Sequence, residues 1–121
     1  MIKLLQCVRK DPKLSDTEFR QRWTEYGDEL GKLAEEMNVV RVVLNTTLAT
    51  DINRNLSAER GTLPAYDGVA EIYWERGTDL LEATAQKAMQ ERIQALRKFQ
   101  ESFMELETSS MFLVSEFVVH G

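Results

Sequence analysis

The chain has 121 residues, 43% hydrophobic and 29% charged, with 6 Gly and 2 Pro, which fits one globular domain over 1–121 with no linker or repeat. A net charge of −5 repels nucleic-acid backbones and anionic membranes, and the longest basic cluster, Arg97 with Lys98, sits beside Glu101 and Glu105, so neither partner is expected. No apolar run approaches the roughly 18 residues of a membrane span, no signal-peptide core opens the chain, and one cysteine admits no internal disulfide, so the expected location is the cytoplasm.

Ile2 to Val8 is short and apolar and is stopped by Asp11-Pro12, which predicts a first strand. Ser15 with Glu18 forms a capping box, and Phe19, Trp23, Tyr26, Leu30, Leu33 and Met37 recur at helical spacing along one stripe. Val39 to Leu48 predicts a second strand, with Arg41, Val43 and Asn45 on one face and Val40, Val42 and Leu44 on the other. Thr50 to Ala65 lacks periodicity and reads as a long loop, either a lid or a connector. Tyr66 to Glu75 resumes strand character, with Gly68, Ala70, Ile72 and Trp74 alternating against Asp67, Val69, Glu71 and Tyr73.

Thr78 is the expected N-cap of a second helical region, in which Leu81, Ala85, Ala88, Met89, Ile93, Leu96, Phe99 and Phe103 supply the inner face. No Gly or Pro tells whether that region is one helix or two. Met111 to Val119 predicts the last strand.

The order is therefore that of an α+β, ferredoxin-like β-α-β-β-α-β domain, a four-stranded antiparallel sheet with its helices on one face. The other face would carry Val43, Val69, Tyr73, Phe112 and Val114, interrupted by Arg41, Asn45, Asp67, Glu71 and Glu116. A face that apolar should not stay wet, so two such sheets are expected to meet in a homodimer whose polar minority lines a small-molecule cavity.

Phe19, Trp23 and Gly27 in the first helix, with Tyr66-Asp67-Gly68-Val69-Ala70-Glu71 at the third strand, resemble the EthD family of the dimeric α/β barrel superfamily. The resemblance implies a dimeric barrel and a link to ether degradation alongside an oxidising system. Related barrels include polyketide cyclases, monooxygenases without cofactor and haem-binding enzymes. A histidine usually precedes the helix glycine in the family, whereas Tyr26 stands there in this chain. With a reference pKa of about 10, a tyrosine donates a hydrogen bond or proton but is a poor base.

No metal or cofactor is expected. Zinc needs three or four Cys or His ligands, against one Cys and one His here, and His120 is poorly placed for haem. Neither a Gly-rich phosphate cradle nor a nucleophile elbow occurs, and Cys7 reads as strand packing.

Asp67 and Glu71 lie four apart on one strand; partly desolvated, either would have a raised pKa and serve as a general base, with Tyr26 as donor. The competing reading pairs both carboxylates with Arg41 or Arg9 across the dimer. Trp23, Arg41, Asn45, Tyr73 and Glu116 complete the candidate substrate contacts, Trp23 and Tyr26 being equally readable as core. Gly27 and Gly31 suggest close backbone approach. Two functions remain: a cofactor-free enzyme of cyclase, dehydratase or isomerase type acting on a small apolar or aromatic metabolite, or a non-enzymatic binding protein accessory to a monooxygenase system.

Overall fold

The computed structural model describes residues 1–121. Its elements are β1 (Ile2–Val8), α1 (Asp16–Leu33), β2 (Arg41–Thr46), α2 (Asp51–Arg60), β3 (Gly68–Trp74), α3 (Gly77–Thr84), α4 (Lys87–Glu101) and β4 (Ser110–Ser115), with a 3₁₀ turn at Leu106–Thr108. The strands form one antiparallel sheet in the order β2-β3-β1-β4. This is the ferredoxin-like arrangement, with α2 added between β2 and β3.

Helix α1 starts where its capping box requires. Ser15 Oγ accepts from Glu18 N at 3.1 Å, and Glu18 Oε1 accepts from Ser15 N at 3.0 Å, which satisfies two otherwise orphaned donors. Its stripe of Phe19, Trp23, Tyr26, Leu30 and Leu33 is buried. Phe19, Trp23, Tyr26, Phe99 and Phe103 then form one aromatic cluster, with ring centroids 5.5 to 6.4 Å apart. The glycine at 27 lets α1 lie against β2, because a Cβ there would collide with the Leu44 side chain. Gly31 meets nothing within 4 Å, so the close approach expected of it is absent.

Register separates the two sheet faces. Leu4 lies between Ile72 and Leu113, with Ile72 paired in turn to Val42, and this row faces the helices. Lys3 lies between Tyr73 and Val114, and Leu5 between Glu71 and Phe112, in the rows of the outer face. Period-two alternation makes the division strict.

Several sequence expectations change, and the open question of one helix or two is settled; β2, expected over Val39 to Leu48, spans only Arg41–Thr46, where β3 pairs with it. The segment read as a loop holds α2: Thr50 Oγ1 accepts from Asn53 N, Asp51 and Arg60 suit the helix dipole, and Gly61 ends it with φ of 65°. The second helical region starts two residues earlier than Thr78 implied. Arg76 is the N-cap residue, its N–H donating to Asp79 Oδ2 at 3.2 Å.

That region also breaks, between Thr84 and Lys87. Thr84 Oγ1 donates back to Leu80 O, and the Thr84 carbonyl accepts from Gln90 Nε2 instead of continuing the ladder. The last strand stops at Ser115 because its partner runs out at Ile2. Phe117, Val118 and Val119, expected in that strand, are exposed, Phe117 at 85%. No helix is long and apolar enough to cross a membrane.

Candidate functional site

Between the helix-facing side of the sheet and α1, α3 and α4 lies a cavity of about 350 Å³. Leu4, Val42, Ile72 and Trp74 form its floor, and Leu30, Leu80, Ile93 and Leu96 bring the helices over it. Its walls are hydrophobic except at Gln6, Thr84, Arg97 and Gln100. The alternation of β1 places Gln6 on the same face as Leu4 and Val8, so a polar side chain enters the core by register alone. It is 4% exposed.

Tyr26 anchors that polar side chain. Fully buried, its Oη donates to Gln6 Oε1 at 2.7 Å and accepts from Gln100 Nε2 at 2.9 Å. Burial pushes the phenol up to about 12, against the opposing pull of its hydrogen bonds with Gln100 and Gln6. At neutral pH Tyr26 is therefore a fixed hydroxyl and no base.

The predicted carboxylates lie elsewhere. Glu71 is on the outer face, where its Oε1 accepts from Lys3 Nζ at 2.7 Å and from Tyr73 Oη at 3.2 Å, and its Oε2 accepts from Asn45 Nδ2 at 3.0 Å. Lys3 also reaches Glu116 Oε2 at 3.1 Å. The hydrogen bond from Lys3, then that from Asn45, holds the Glu71 carboxyl below its ordinary value, against the elevation that desolvation alone would give. The same contact, foremost among several, raises the Lys3 ammonium above the usual lysine range. The Tyr73 ring is flanked by Lys3 Nζ at 5.1 Å and the Arg41 guanidinium at 5.3 Å.

Asp67 precedes β3, and its Oδ2 accepts from Lys10 N at 2.8 Å. It borders a shallow cavity of about 100 Å³ with Asp16 and Phe19. The spacing from Asp67 to Glu71 thus fails to gather two carboxylates, because the extended run begins only at Gly68. Neither ion-pairs with Arg41 or Arg9 within the protomer. Arg9 instead donates to the carbonyls of Pro64 and Ala65 and stacks on Tyr66 at 4.3 Å.

Trp23 sits in the core, away from the cavity lining, stacked on Phe19 and Tyr26 at 5.7 and 5.8 Å. It lies over Gly68, where a Cβ would come within 2.7 Å of its ring. Glu71, Asn45, Tyr73, Arg41 and Glu116 are thus together on the outer face, and Tyr26 and Trp23 are on the helix side. Three residues passed over in the sequence organise these places: Lys3, Gln6 and Gln100. A Lys on the outer face of an apolar strand, and a Gln on its inward face, were the available signals.

Comparison with known proteins agrees with this architecture. An EthD-family protein of Bacillus halodurans is 14% identical, with 97% of this chain and 99% of that one covered at a TM-score of 0.64. A dimeric protein of ferredoxin-like fold from Bacteroides fragilis is 6% identical, with 95% of each chain covered and a TM-score of 0.64. A cofactor-independent oxygenase from Streptomyces nogalater is 14% identical, covering 98% of this chain and 94% of that one at 0.54. Among curated proteins none matches significantly. The EthD domain matches residues 11–99, most of the chain and all of α1 and β3, and the protein belongs to the EthD family.

Proposed function

We propose that this protein is a homodimeric binder of a small apolar or aromatic molecule, held in the cavity between the helices and the sheet. The observation that carries the reading is the cavity of about 350 Å³, which lies in the usual size range of small-molecule sites and has hydrophobic walls with few polar groups. The second copy would cover the outer face, where Phe112 is 46% exposed and shares the face with Val43, Val69 and Val114. The dimeric state of the similar Bacteroides fragilis protein supports that pairing.

Of the two functions open to such a protein, the geometry favours the accessory or binding role beside an oxidising system. A general base must come within about 3 Å of the proton it removes. Glu71 is across the sheet from the cavity, and Asp67 is engaged by the Lys10 backbone. The likeness to a cofactor-independent oxygenase favours a second reading, an enzyme acting without cofactor on an aromatic substrate in the same cavity. The Gln6 amide and the Arg97 guanidinium at the wall would then stabilise negative charge developing on that substrate.

Titration with naphthalene, followed by the fluorescence of Trp74 in the cavity floor, tests the site. Saturable binding of one molecule per protomer, abolished by Val42→Phe with the fold retained, is the expected result. Unaltered binding by that variant would remove the cavity as the site. Oxygen uptake with bound 1-naphthol would favour the enzyme, and unchanged 1-naphthol the accessory role.

A further inference from the structure

We propose that Gln6 selects the occupant of the cavity, an apolar ring compound that carries a carbonyl oxygen to accept from Gln6 Nε2. The inference rests on the cavity reading above and names the chemistry of what enters. Gln6 Oε1 is turned to Tyr26 Oη at 2.7 Å, while its Nε2 donates to no group of the protein, in a side chain 4% exposed that lines the cavity. That donor still reaches solvent through the open side of the cavity, and a ligand filling the space would cut it off. A hydrocarbon ligand would leave it unpaired; a carbonyl oxygen would pair with it.

The orientation of the amide follows that of Gln100. Gln100 Nε2 donates to Tyr26 Oη at 2.9 Å, so the phenolic hydrogen must point onward to an acceptor, and Gln6 Oε1 is that acceptor. Turning the Gln6 amide over would give Tyr26 two donors and leave its own O–H unpaired in the core. The run of donors therefore goes Gln100 to Tyr26 to Gln6 to ligand. Tyr26 acts as a positioning residue: it reaches the ligand only through Gln6.

The test compares 1-tetralone with tetralin, which share a bicyclic skeleton and differ by one carbonyl, using calorimetry on the full-length protein. Gln6→Met is expected to weaken 1-tetralone about tenfold and to leave tetralin unchanged or tighter. Tyr26→Phe should give a smaller loss confined to the ketone. In the wild type the Gln6 side-chain amide proton resonances should shift with 1-tetralone and stay in place with tetralin. If Gln6→Met folds poorly, Gln6→Asn, which keeps the amide and withdraws it by one methylene, is read by the same criteria.

Equal effects on both compounds, or none on either, would overturn the role of Gln6 while leaving the cavity as the site. Failure of both compounds to bind the wild type would remove the cavity reading, and this one with it.

Discussion

Tyr26 and Glu71 face opposite sides of the same sheet: Tyr26 Oη meets Gln6 on the helix side, and the Glu71 carboxylate meets Lys3 on the outer side. One protomer cannot use them as donor and base on one small substrate. The cavity therefore presents Gln6, Thr84, Arg97 and Gln100 in apolar surroundings with no carboxylate among them, and the Lys3–Glu71 cluster belongs to the face where a second copy is proposed to pack.

Tyr26→Phe should destabilise the protein by about 1–2 kcal/mol in urea denaturation at pH 7, because it leaves the Gln6 and Gln100 amides without their partner. In a spectrophotometric titration one of the three tyrosines should ionise near 12, and that step should be missing in the variant. The folded value lies above the unfolded one of about 10, so the unfolded chain loses its proton first. The stability that Tyr26 contributes is thus complete below pH 10 and falls as pH rises from there through about 12.

Lys3→Met should cost about 1 kcal/mol at pH 7, since Glu71 and Glu116 would lose their shared, half-buried cation. Because the Glu71 carboxyl is held below its ordinary value, its contribution is present above the unfolded pKa of about 4.3 and is lost as pH falls through the folded value. The gap between wild type and Lys3→Met in urea should therefore narrow on acidification. A gap constant from pH 7 to acid would contradict the pairing.

Gly31→Ala should stabilise the protein more than Gly27→Ala. At position 27 the new methyl must displace the end of the Leu44 side chain, which offsets the helix gain. At position 31 it enters open space within helical backbone and should gain about 0.5–1 kcal/mol. Paired denaturation curves of the two variants check this.

Phe112→Asp should convert the proposed dimer to monomer while leaving the naphthalene affinity within about twofold, since Phe112 lies on the outer face and the cavity on the other. Analytical ultracentrifugation and the Trp74 titration read the two effects separately. Loss of binding together with loss of the dimer would place the ligand between the sheets.

The elements that bury one face were legible in the sequence. Alternation along β1, β2 and β3 assigned each side chain to a face, and the stripe from Phe19 to Leu33 gave α1 with its cap. Helix α2 was hidden because it buries nothing: Ile52 and Leu56 face solvent and make no stripe against the body. The ends of β2 and β4 were overrun because a strand stops where its partner stops, a tertiary fact that a run of Val and Phe does not report.

The site was harder to read, though part of its logic was present. The alternation that put Glu71 opposite Ile72 already separated it from a helix packed on the Ile72 side, and with it from Tyr26. Gln6 was overlooked among apolar neighbours, although its place on the inward face marked it as a buried polar group in need of a partner. Lys3 was overlooked because a lysine near a chain end reads as solvated, while its pairing with Glu71 depends on register between strands some 68 residues apart.

The most direct measurement is a set of intermolecular nuclear Overhauser effects between bound naphthalene and the methyl groups of the selectively labelled protein. Contacts to Leu4, Val42, Ile72 and Leu96, with none to Val43, Val69 or Val114, are predicted. Contacts to the second group alone would put the ligand between the sheets of a dimer and contradict the account.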